Sequence, residues 1–226
     1  MGDKKQKEAR IKTVKQVLIV GACVLFVILM ILSGMGSGWL TMFTVIKPGD
    51  TVVVDYTMYD INGDPVVTSN QQTLTKAATG GRNLIYSQQL SIITGQNLTK
   101  SIYPVSIYTS STGWTKEYAL FSVEYDAINQ ALVGMKAGDQ KQIRVPNSSM
   151  VQEWSATQLT NNDVNISDIN LGDVLAMAVS DNPELMASNA TITYTRIGLI
   201  TSKTNESVIV DFGYPSADIS IVSINA

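Results

Sequence analysis

The chain has no histidine and one cysteine in 226 residues. Without histidine, neither a Ser-His-Asp nor a Cys-His nucleophile system can be assembled, and the commonest side-chain ligand of transition metals is missing. The lone Cys23 can form no disulfide within the chain and no thiolate metal cluster. Charge is sparse as well, at 15 % of residues, and positions 16–46 carry none at all. What holds this protein together must therefore be its apolar core, and any chemistry must proceed without an imidazole or a second thiol.

The charge that is present is unevenly placed. Lys4, Lys5, Lys7, Arg10, Lys12 and Lys15 crowd the amino terminus, ahead of the uncharged and largely aliphatic stretch. A basic flank before such a run predicts a transmembrane helix over residues 16–40, a cytoplasmic tail over residues 1–15, and a carboxy-terminal domain outside the cell membrane. The rival expectation is a cleaved leader with Ser33-Gly34-Met35-Gly36 as the small-residue site, but no A-x-A-like triplet follows the run. From Lys47 onward ten Lys and Arg face seventeen Asp and Glu. Such an acidic domain argues against nucleic acid as a partner. N-x-[ST] sequons at Asn97, Asn147, Asn165, Asn189 and Asn205 all fall in polar, turn-like stretches suited to glycosylation outside the cell.

Catalytic and cofactor motifs are not found. Gly34-Met35-Gly36-Ser37-Gly38 is glycine-rich but neither follows a strand nor opens a helix. Asp163, Asp168 and Asp173 recur every fifth residue without the loop glycine and bidentate glutamate of a calcium site, so a solvated acidic face is expected. The expected complement of cofactors and metals is none.

Hydrophobic periodicity predicts a strand over residues 51–60, with Val52, Val54, Tyr56 and Met58 on one face, then an Asn62-Gly63 turn and a returning strand from Val66. A short helix is expected over residues 71–78, and short strands or extended pieces over 84–86, 90–94, 102–108 and 118–123. A clearer helix is expected over 124–135, where Tyr125, Ile128, Leu132 and Met135 share a face. A strand over 140–145 follows, then a short helix over 151–159 and strands near 174–179, 191–202, 208–212 and 219–224. Together these predict an α+β class, one transmembrane helix followed by a β-rich external domain.

Two blocks resemble FKBP-type peptidyl-prolyl isomerases. Lys47-Pro48-Gly49-Asp50-Thr51-Val52-Val53-Val54-Asp55-Tyr56-Thr57 with Asn62-Gly63-Asp64-Pro65-Val66-Val67-Thr68-Ser69 is similar to the family's opening strand, turn and returning segment. Ala131-Leu132-Val133-Gly134-Met135-Lys136-Ala137-Gly138-Asp139-Gln140-Lys141 is similar to its helix end and following turn. Residues 169–215 resemble the inserted flap of SlyD-like members, including membrane-anchored archaeal ones. The resemblance implies an FKBP-like domain over residues 46–151 with a long insertion at about 70–123, a small β flap domain over 152–216, and a final strand over 217–226. It also implies a prolyl pocket at Tyr56, Val66, Val67, Tyr125 and Ile128. The family's Phe-Asp pair falls on Val66-Val67, its pocket tyrosine near Val151 and its last-strand aromatic near Ala217. The function so implied is a membrane-anchored prolyl isomerase or chaperone acting on unfolded or proline-containing polypeptides, with a largely aliphatic cup. The alternative is a non-catalytic accessory subunit of a membrane or cell-envelope assembly. The lipid bilayer is a partner in both readings.

Overall fold

The computed structural model describes residues 18, 20, 21, 23–27, 29, 30, 44–180 and 194–225. The chain divides into two compact units, Met1–Phe43 and Thr44–Ala226. In the first unit every described residue is helical and exposed. Among the described residues no helix is long and apolar enough to cross a membrane. The transmembrane helix expected over residues 16–40 is corrected accordingly. The rest of that stretch, the basic tail and the Gly34–Gly38 loop lie outside the described residues.

The second unit overturns the α+β expectation: it is mostly β. Six strands form a first sheet: β1 (Thr51–Tyr59), β2 (Pro65–Thr68), β3 (Ile85–Tyr86), β4 (Leu90–Ile93), β7 (Gln140–Arg144) and β12 (Ser216–Asn225). Their order is β3-β2-β1-β12-β7, with β4 also on β1. The second sheet holds β5 (Ile102–Thr109), β6 (Gly113–Phe121), β8 (Val151–Ser155), β9 (Val174–Val179), β10 (Tyr194–Lys203) and β11 (Ser207–Asp211). Its order is β5-β6-β10-β11-β8, with β9 paired to β10. The helices are short: α1 (Gln71–Thr79), α2 (Ser122–Leu132) and α3 (Ala156–Thr160). Two things shift the balance toward strand. The stretch 70–123 folds as α1 and β3 to β6, with its short extended pieces joined into full sheet strands, and the helix expected over 151–159 is strand β8 followed by one helical turn.

Local chemistry accounts for the central elements. In β1 the alternating apolar residues all turn inward, with Val52, Val54, Tyr56 and Met58 almost wholly buried. The hairpin to β2 turns at Gly63, whose φ of +80° a side-chain-bearing residue rarely adopts. The Asp60 carboxylate accepts the Asn62 and Asp64 N–H groups there, each at 2.9 Å. Helix α1 starts at Asn70, whose side chain accepts the Thr73 N–H at 3.0 Å. Helix α2 stops at Leu132 rather than at 135 because Gly134 takes a φ of +88°. The chain then reverses, and Met135 returns to the core.

β12 lies between β1 and β7 and pairs along the whole of β1. The main core sits between this sheet, α2 and the β5–β6 hairpin. A second, smaller core gathers Leu159, Ile169, Leu175, Ile200, Val208, Val210 and Phe212 under β8 to β11. β10 carries Gly198 where its strand meets β11: a Cβ there would stand 2.5 Å from the Phe212 ring.

Candidate functional site

The residues expected to form one prolyl cup are distributed over three places. Tyr56, Val67 and Ile128 are interior residues of the main core, each at most 1 % exposed. Val66 is half-buried and faces the other way, onto a groove of about 470 Å³ shared with Ile85, Val174, Ile197 and Leu199. Tyr125 leaves the core edge and stacks on Tyr103, with ring centroids 4.2 Å apart. Burial raises its pKa, and the neighbouring Tyr103 adds to the shift. Val151 lies exposed on β8 of the second sheet, where it pairs with Asp211. Ala217 is buried opposite Met58.

A buried polar cluster that sequence reasoning did not identify lies where β10 meets the end of β6, the start of α2 and the residues after β11. Arg196 on β10 is fully buried. Its Nε donates to the Phe212 carbonyl at 3.0 Å, and its Nη1 to the Ala119 carbonyl and Glu124 Oε2, both at 2.9 Å. Its Nη2 donates to the Phe212 carbonyl at 2.7 Å and to Glu124 Oε1. A guanidinium has five N–H groups, and these contacts use all of them. The Arg196 guanidinium carbon lies 3.6 Å from the Tyr214 ring centroid and 4.4 Å from that of Phe121, within the range of a cation–π contact.

Glu124 is the third residue of α2, and its carboxylate also accepts the Phe121 N–H at 2.9 Å, capping the helix. Burial by itself works against the charge on Arg196. The Glu124 carboxylate, with Tyr214 and Tyr118 adding to it, more than offsets this, and the guanidinium pKa stands above its ordinary value. Tyr214 donates to the Ile197 carbonyl at 2.8 Å, so in its bond with the Tyr118 hydroxyl it is the acceptor. Burial, first among the causes, raises the pKa of both tyrosines. A lone arginine inside the apolar stretch Tyr194–Lys203 was the available signal. Its partner Glu124 lies 72 residues away and looked like an ordinary helix-start acid.

Tyr56 stands beside this cluster with a different balance. Its hydroxyl is buried without a hydrogen-bond partner, as is Ser87 Oγ; the two are near enough to influence each other but do not bond. An unpaired buried hydroxyl costs roughly 1–3 kcal/mol. Tyr56→Phe is therefore expected to leave unfolding stability unchanged or to raise it by about 1 kcal/mol in urea denaturation. A loss beyond about 1 kcal/mol would show that the hydroxyl has a partner in solution.

The acidic positions serve local structure. Asp173 accepts the Asn170 N–H at 2.7 Å and Asp168 the Ser167 hydroxyl at 3.1 Å. Among the described residues no group of three or more His, Cys, Asp or Glu could hold a metal ion. Asn97, Asn147, Asn165 and Asn205 are all exposed. Asn189 lies outside the described residues. Compared with models of protein families and with curated proteins, the chain matches none.

Proposed function

We propose that this protein is an FKBP-like interaction module, a non-catalytic accessory subunit of a membrane or cell-envelope assembly, whose prolyl cup has become part of the fold's own core. The observation that carries the reading is the filled space at Tyr56. A prolyl isomerase lowers a barrier of ~18–20 kcal/mol by taking a twisted X-Pro bond into a dry cup. The ring and bond need room against apolar walls. Here Tyr56, Val67 and Ile128 are interior residues of one continuous core, each at most 1 % exposed, beside the buried Arg196–Glu124 pair. The position outside the cell membrane belongs to the same proposal. Its support is the basic flank ahead of the uncharged stretch, together with the exposed sequons.

A second reading, a folding helper for unfolded or proline-containing polypeptides, has one observation in its favour: the groove lined by Val66, Ile85, Val174, Ile197 and Leu199 is apolar and open. A protease-coupled assay on a short X-Pro peptide separates the two. The expected result is no acceleration over the uncatalysed rate. Turnover near that of an ordinary FKBP would reverse the order of the readings. Protease added to intact cells should digest the β-rich unit, and its protection would place it inside.

A further inference from the structure

We infer that the groove between α2 and β7 docks an extended polypeptide segment carrying alternating apolar and acidic side chains. The inference rests on the interaction-module reading and names its partner's chemistry. β7 is an edge strand: among the described residues it pairs only with β12. Val145, just beyond it, donates its N–H to the Pro215 carbonyl, toward β12. By the alternation of an antiparallel ladder, Gln142 and Arg144 then turn their N–H and C=O groups to the open edge.

Beside that edge the groove measures about 600 Å³. It exists because α2 presents Ala127 and Ala131 toward β7, and side chains that small leave the space between helix and strand unfilled. Ala127, Ala131 and Ile143 make an apolar floor, and Val123, 37 % exposed, adds an apolar wall. An unpaired strand edge next to an apolar trough is the geometry of strand addition. Backbone hydrogen bonds hold the incoming segment, and every second side chain enters the trough.

Charge decides which segment fits. From residue 47 onward the chain is acidic, with ten cations against seventeen anions, yet two of those cations, Lys141 and Arg144, line this one groove. Neither forms an ion pair among the described residues, where the salt bridges are Arg82–Asp64 and Arg196–Glu124. The one carboxylate on the rim, Asp126, is engaged by the Gln130 amide at 2.7 Å. A segment with acidic residues alternating with apolar ones would set its carboxylates on the Arg144 face of the strand while its apolar side chains cover Ile143 and the alanines, with Lys141 at the end of the trough.

The test uses the full chain and two labelled peptides, Gly-Val-Glu-Val-Glu-Val-Gly and Gly-Val-Lys-Val-Lys-Val-Gly, read by fluorescence anisotropy. The acidic peptide should bind about tenfold more tightly than the basic one, and more weakly as salt is raised. The double variant K141E/R144E should reverse the preference. Gln142→Pro, which removes an edge N–H, should weaken both peptides while circular dichroism shows an intact fold. Equal binding of the two peptides, or no binding of either, would overturn the inference. Isomerase turnover measured on the same sample keeps the two failures apart. An inactive protein that ignores both peptides sinks the groove but not the module reading, whereas rapid turnover sinks the module reading whatever the peptides do.

Discussion

Replacing Arg196 with methionine should lower the unfolding free energy by about 3–5 kcal/mol, the usual cost of removing one partner from a buried ion pair. The loss comes mainly from what is left behind. Glu124 would be left 1 % exposed without its counter-ion, and the Phe212 and Ala119 carbonyls would lose their donors. Because Arg196 sits on β10 while Glu124 opens α2 and Phe212 follows β11, the substitution should loosen the second sheet from the helix. Urea denaturation followed by tyrosine fluorescence would read this as a lower midpoint at an unchanged slope. Glu124→Gln should cost less, because an amide oxygen can still accept from the guanidinium and the Phe121 N–H. The double replacement Arg196→Met with Glu124→Leu should be less damaging than the sum of its parts, since neither leaves a stranded charge. An Arg196→Met protein within about 1 kcal/mol of the parent would mean that the guanidinium is not held as described.

The second large effect is expected at alkaline pH. Tyr56, Tyr118 and Tyr214 are almost wholly buried and burial raises the pKa of each, in every case the first of its causes. In the unfolded chain a tyrosine ionises near pH ~10. The raised folded values mean that the native state keeps its phenolic protons above that point while the unfolded state sheds them. Their contribution to stability is therefore complete below pH ~10 and is lost as pH rises from there through the folded values. Each such tyrosine removes ~1.4 kcal/mol per pH unit, so three acting together remove roughly 4 kcal/mol per unit. Thermal melts should be nearly flat from pH 6 to 9, where no imidazole titrates, and then fall steeply. Tyrosinate absorbance should show the exposed phenols first and the buried ones only with unfolding. A gradual, non-cooperative titration of all the tyrosines would show that the cluster admits water.

How far the sequence could be read depended on whether each signal was local. β1 was legible because period-two alternation and an Asn-Gly turn mark a half-buried strand and its reversal within about fifteen residues. α2 was legible from its period of 3–4, although Gly134 ended it earlier than the apolar pattern did. Within residues 70–123 the short helix and the extended pieces were legible, but their pairing was not. β3 has only two residues, and β5 and β6 are held by each other and by a single parallel register point between Tyr118 and Thr195. No window of sequence contains that pairing. The helix expected over 151–159 failed for the same reason. Val151 to Ser155 is extended because β11 lies alongside it, more than fifty residues later.

The candidate site divides along the same line. Composition alone excluded imidazole chemistry and any chemistry that needs two thiols, periodicity placed Tyr56 and Ile128 on apolar faces, and the resemblance added Val66, Val67 and Tyr125. Whether those positions enclosed an open cup or a filled core could not be read from them, because a cup and a core call for the same apolar residues. The folded chain adds what they lacked: Tyr56, Val67 and Ile128 are each at most 1 % exposed, and Arg196 and Tyr214 come from the far end of the chain to meet Glu124 and Tyr118. A guanidinium can be buried here because two backbone carbonyls and a carboxylate converge on its five N–H groups, and only the folded chain brings them together.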